Sequence, residues 1–356
     1  MSAAAMHAAA GRRAESPGLW TLAWRRFRHD RVGFVSLDIV LLFVALMAAS
    51  GAGLVASDWG NETGISHARP RFMGAAEPEA ASGATGPEGA PAVAAGSHAL
   101  QDDAGVADPL AEVLAEIRGR SAASAVAEVR ATTLIFGGDK WGRDVLKKAV
   151  KGTETSLFVG LAAAALAAFL GTVLGALAGY HGRWVDDLLN WFYSIFTSIP
   201  YLLLILAIAA VLNQKGTLTV ILILGLTGWT GIFRLIRAEY LKHKVREYVQ
   251  AADAIGASHT RRMFVHILPN VSHVILVQLS LHVVLFIKSE VVLSFLGFGV
   301  GVDTVSWGSM LNEAQSELLL GNWWQLLAAT IAMAVLVTAF SLFTDALRDA
   351  LDPKLK

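Results

Sequence analysis

The chain has 356 residues, no cysteine and a formal net charge of zero; 54% of its residues are hydrophobic and only 16% are charged. Soluble domains carry nearer a quarter charged residues, so the apolar excess points to a membrane protein before it points to two soluble domains. The neutral balance favours no nucleic-acid partner, and the lack of cysteine excludes disulfides, thiolate zinc sites, iron–sulfur clusters and cysteine nucleophiles.

Residues 1–31 are Ala-rich and then basic, ending in Arg25, Arg26, Arg28 and Arg31. Trp20, Trp24 and Phe27 recur at helical spacing among the arginines, which predicts a short amphipathic helix on a membrane surface; a plain basic tail is the alternative. The first apolar run starts too late and is too long for a cleavable signal, so 1–31 reads as a cytoplasmic tail before a retained anchor. Residues 32–55 supply the roughly 20 apolar residues of a first transmembrane helix. Asp38, near its basic end, is expected to make a structural polar contact.

Residues 56–135 are rich in Ala, Gly, Pro and Glu and read as an extracytoplasmic insertion, with a flexible linker over 74–105 and a helix over 110–129. Gly137, Gly138 and Asp139 then predict a turn, and 144–150 an interfacial helix with Lys147, Lys148 and Lys151 at headgroup level. The second span is expected at about 155–180, where Gly171, Gly175 and Gly179 fall every fourth residue and let another backbone approach closely. The third, 188–212, carries Pro200 in mid-helix, which predicts a kink that serves either as a hinge or as a static bend. The fourth is placed at 217–236, the fifth at 271–295 and the sixth at 323–343, with a loop over 297–322 and a short polar tail over 346–356. Residues 136–345 thus form one core with five spans.

Six spans put both termini on one side. The N-terminal arginines, Arg183, Arg234, Arg237 and Arg261 share that side, whereas 297–322 holds no Lys or Arg, so the positive-inside rule places the termini and the loop 237–270 in the cytoplasm. That loop is a small-residue helix, a glycine break at Gly256, and a second basic helix that Ser258 caps and Pro269 stops before the fifth span. Ala251, Ala252, Ala254 and Ala257 give it a low-relief surface for a partner, and Glu247 suits the start of the first helix. It reads as a handle by which an ATPase elsewhere moves the membrane helices.

Nothing in the chain predicts catalysis. There is no G-x-x-x-x-G-K-[ST], no G-x-S-x-G and no H-E-x-x-H, so no catalytic residue, no metal site and no cofactor of its own is expected. Lys288 and Glu290 are costly in hydrocarbon and face different sides of a helix. They are either a pathway-lining or gating pair or helix–helix contacts, and a proton-coupled carrier using Asp38, Lys288 and Glu290 is the competing reading.

Several motifs in order resemble a known family. Glu247-x-x-x-Ala251-Ala252-x-x-x-Gly256, closing on Ile267-Leu268-Pro269, resembles the EAA loop of binding-protein-dependent ABC importer permeases. Asp139-x-x-Gly142-Arg143-Asp144-Val145, Glu290 to Gly299, Trp307-Gly308-Ser309-Met310-Leu311 and Leu347-Arg348-Asp349-Ala350-Leu351-Asp352-Pro353 resemble the C-type permease of the dipeptide/oligopeptide/nickel branch. Gly138 stands where that branch usually has Thr, and the insertion 56–135 is longer than usual. The resemblance implies an all-α membrane protein with the type I importer permease fold in the bacterial inner membrane. It implies a second homologous permease, two cytoplasmic ATPases that bind ATP and magnesium, an extracytoplasmic substrate-binding protein, and surrounding membrane lipid. Glu247, Ala251, Ala252, Gly256, Leu268 and Pro269 would form the coupling helix that docks on an ATPase.

Overall fold

The computed structural model describes residues 19–74, 130–301 and 303–351. The expected linker over 74–105, the helix over 110–129 and the extreme termini lie outside those residues, apart from Gly74. The chain divides into two compact units, Gly60–Val145 and a helical unit made of Met1–Trp59 with Leu146–Lys356.

In the helical unit α1 (Leu19–His29) and α2 (Arg31–Gly51) are separated at Asp30, whose carboxylate accepts the Val32 N–H and caps α2. The apolar face of α1 is amphipathic as expected, but it packs on protein: Ala23 and Phe27 join Val277, Ala346, Ala350 and Leu351 in one core cluster. Asp38 is exposed on α2 and meets no hydrogen-bonding group among the described residues, because α2 buries its other side.

Helix α3 (Val145–His181) is continuous, so 144–150 is its first part rather than a separate interfacial helix. Its lysines do not form a headgroup row. Lys147 pairs with Asp58 at 2.5 Å and Lys151 with Glu154 at 2.7 Å, while Lys148, 1% exposed, reaches Glu313 at 2.5 Å. Carboxylates from outside the helix hold Lys147 and Lys148, and one on the next turn of α3 holds Lys151.

The third expected span is broken rather than kinked. Helix α4 (Arg183–Thr197) and α5 (Tyr201–Leu212) meet at 83°. Pro200 has no N–H for the Phe196 carbonyl, and the residue before a proline avoids the helical region, so the ladder stops instead of bending. Helices α6 (Thr217–Thr227) and α7 (Thr230–Lys244) form one span, Thr217–Lys244, interrupted at Gly228 and Trp229. After α8 (Glu247–Ala254), α9 runs from His259 to Phe295. Pro269 does not stop it. A π-helical stretch, Arg262–Ile267, widens the ladder over the carbonyl that the proline ring would otherwise strike, and the helix passes through.

The segment expected as a loop over 297–322 contains α10 (Trp307–Leu319), started by a reciprocal Ser306–Ser309 capping box. Helix α11 (Trp324–Leu351) then takes in most of the expected polar tail. Trp307 is wholly buried: its indole donates to the Ala149 carbonyl at 3.0 Å and its ring meets the edge of Phe43. Among the described residues five helices are long and apolar enough to cross a membrane, or six if α4 and α5 count as one span.

The unit Gly60–Val145 holds a two-stranded sheet. Strand β1 (Gly64–Pro70) pairs in parallel with β2 (Ala131–Leu134), Gly64 opposite Ala131 and Pro70 opposite Leu134. Asp139 organises the turn that follows, accepting N–H bonds from Trp141 and Arg143, both at 2.9 Å. Gly142 sits at φ +78 against the Gly64 backbone, where a side chain would collide.

Candidate functional site

Helix α8 is short and two-sided. Val249 and Ala252 are buried against the π-helical start of α9, whereas Glu247, Ala251 and Gly256 are exposed. Glu247 lies in its first turn. Gly256 takes φ +81, and the bonds Gly256 N–H to Asp253 C=O and Ala257 N–H to Ala252 C=O, both 2.9 Å, complete a Schellman end. Ser258 then accepts the Arg261 N–H and starts α9. Leu268 is half-buried and Pro269 exposed. The turn leaves Ile255 84% exposed at the tip, next to Gly256, with Val245 and Tyr248 also outward.

Polar ties fix this handle to the membrane helices. Arg262 pairs with Asp253 at 2.5 Å and lies over the Tyr180 ring at the end of α3. The Tyr180 hydroxyl meets His259 Nδ1 at 3.0 Å, and Tyr240 of α7 donates to the Met263 carbonyl at 3.1 Å. Tyr248 shares a 2.8 Å bond with His243; partial burial raises its phenol above the ordinary value, so it stays neutral at physiological pH.

The span glycines carry this connection inward. Cβ atoms added to Gly171, Gly175 and Gly179 would meet α7 at Trp229 and Ile232, at Phe233 and Ile236, and at Arg237 and Tyr240 respectively. Helices α3 and α7 therefore touch backbone to backbone along two turns. Asp186 of α4 adds a bidentate pair to Arg237, at 2.5 and 2.7 Å. Helices α3, α4 and α7 thus form one packed group.

Glu290 is fully buried. Its carboxylate accepts from Ser156 of α3 and Ser294 of α9, each at 2.7 Å, and Ser156 in turn accepts the Trp307 N–H. Lys288 is exposed on a different side of α9, so the two do not meet.

The sequence singled out the small residues and the caps. It missed Ile255, although that residue precedes the glycine of the motif, and it missed Tyr180, Tyr240, Arg262 and the Asp186–Arg237 pair. Their partners lie far along the chain, and no local spacing announces them. The described residues contain no group of three His, Asp or Glu able to hold a metal.

Residues 171–356 match the family described as "Binding-protein-dependent transport system inner membrane component", and 18–63 match the "N-terminal TM domain of oligopeptide transport permease C". The chain is 38% identical to the dipeptide transport system permease protein DppC of Bacillus subtilis over 221 residues, 62% of this chain and 69% of that protein. It is 36% identical to the oligopeptide permease protein OppC of the same species, over 62% and 72%. It is 34% identical to the glutathione transport system permease protein GsiD of Pectobacterium atrosepticum, over 62% and 73%. With apolar helices enough to span a membrane, a clamped helical handle and a matched region that takes in both, the chain belongs to the family of binding-protein-dependent transport system inner membrane components.

Proposed function

We propose that this chain is one of two permease subunits of an ABC importer for peptides of the dipeptide and oligopeptide class. Two cytoplasmic ATPases, which bind the ATP and magnesium, drive it, and an extracytoplasmic binding protein delivers the substrate. The peptide assignment rests on the relatives' names. The handle and both termini face the cytoplasm, a reading supported by the Lys and Arg bias of the loops. Glu247, Ala251, Ala252 and Gly256 belong to the docking helix, Ala252 by supporting it from behind. Lys288 faces the pathway, since an unpaired lysine in hydrocarbon costs at least about 2.5 kcal/mol. Glu290 fastens α3 to α9 beside that path.

The observation that carries the coupling role is the exposed Ile255 at the tip of a handle tied to α3 and α7. Ile255→Asp is expected to lower ATPase co-purification about tenfold or more, the scale of one lost aliphatic anchor. Peptide uptake falls with it, while the melting temperature of the isolated subunit stays unchanged. Normal co-purification and normal uptake would sink the coupling role.

A further inference from the structure

The break between α4 and α5 leaves Thr197 to Pro200 exposed and lies level with the middle of a neighbouring span. Helix α4 runs antiparallel beside α7: Asp186 pairs with Arg237, Tyr193 stacks on Phe233, and Phe196 meets Trp229. Trp229 stands near the middle of the 28-residue span Thr217–Lys244, so α4 ends at mid-span. The α6–α7 interruption falls at the same level. The Tyr201 hydroxyl opens α5 there, buried beside Thr227 and Ser289, whose own hydroxyl protons go to helix carbonyls.

Irregular backbone in a membrane persists only where protein covers it or water reaches it. At this break the Phe196 and Thr197 carbonyls receive no hydrogen bond among the described residues. Asp187, Trp191, Ser194 and Ser198 recur at helical spacing on one exposed face of α4 leading to it. The serine protons are already used, by Ser194 on the Asn190 carbonyl and by Ser198 on the Ile195 carbonyl, each at 2.8 Å. Beside the Trp191 indole N–H, what the lane offers outward is therefore acceptors: a carboxylate, the lone pairs of two hydroxyls and the free carbonyls at the negative end of a helix. Its neighbours around the helix, Trp184, Leu188 and Ile195, are exposed and apolar.

We propose that this lane is a substrate-contact site on the translocation path, taking the α-ammonium group and the backbone N–H groups of a passing peptide. It rests on the peptide-import reading and adds a place and a chemistry to it. Interrupted helices at mid-membrane serve ligands in this way in other transporters, the free backbone groups replacing water.

The chain has no cysteine, so an introduced one is the single thiol of this subunit, and the importer without it gives the background labelling. In the full importer reconstituted in vesicles, Ser194→Cys and Ser198→Cys are expected to react with a membrane-impermeant methanethiosulfonate at least about tenfold faster than Leu188→Cys, because the thiolate forms only where water reaches. Dialanine should slow that reaction about fivefold, the effect of one or two hydrogen bonds, whereas N-acetyl-dialanine should protect less. Cysteines at 194 and 198 as inert as the one at 188 would place the stripe against lipid or protein and overturn the lane. Fast labelling that dialanine does not slow would overturn the ligand, as expected of a helix lying at the membrane surface. Uptake of dialanine by the unsubstituted importer is the control on the underlying reading: no uptake of any peptide would overturn that reading itself, whatever the labelling pattern.

Discussion

At the residue scale the decisive positions are those where only one side chain, or none, fits. Gly175 has the Phe233 carbonyl at 2.8 Å and Ile236 Cβ at 3.0 Å from the position of an added Cβ, whereas an added Cβ at Gly182 meets nothing within 4 Å. Gly175→Ala should therefore lower thermal stability by about 1–3 kcal/mol, the usual cost of overpacking. Gly182→Ala costs only the strain of its φ of +65, about 1 kcal/mol. Melting curves in detergent check the difference, and equal losses would mean that α3 and α7 can separate freely. The four-residue spacing of the glycines was readable in the sequence. Which helix they meet was not, because Phe233 lies more than fifty residues away.

At the element scale, local signals were reliable where they act locally. Ser258 caps α9, Gly256 ends α8 in a left-handed turn, and Asp139 closes its own turn. They failed where a distant element decides. Pro269 reads as a stop, yet a π-helical stretch lets α9 continue, since packing on α8 and α7 outweighs one missing hydrogen bond. Pro200 has no such support and breaks its span. Lys148 reads as an interfacial residue until α10 brings Glu313 to it, with Gln325 also donating to that carboxylate at 3.1 Å. Lys148→Met should cost about 2–3 kcal/mol, less than a fully buried pair because Glu313 is 28% exposed. The double substitution Lys148→Met, Glu313→Leu should recover part of it, because no lone carboxylate remains. A melting series over the unsubstituted protein, Lys148→Met, Glu313→Leu and the double variant reads the coupling, and a double variant no better than Lys148→Met would contradict it.

At the scale of the whole molecule, the competing readings differ in what the isolated chain can do. A proton-coupled carrier using Asp38, Lys288 and Glu290 would work alone. The structure keeps those groups apart: Asp38 and Lys288 are exposed on different helices, and Glu290 is enclosed by serines. The purified chain in vesicles under a proton gradient is therefore expected to take up no peptide, and the chain with its partner permease, ATPases and binding protein to do so only with ATP. Gradient-driven uptake by the chain alone would reverse this. The sequence by itself determined the membrane class, the approximate spans and the short helix that ends at Gly256, because each depends on composition or on neighbours within one or two helical turns. Only the tertiary structure decided that the third span is broken, that α10 occupies an expected loop, that Glu290 is buried and Lys288 is not, and that Ile255 is the handle's outermost apolar group. Each of those outcomes follows from contacts between distant segments, where burial and paired hydrogen bonds outweigh the local preference of the chain.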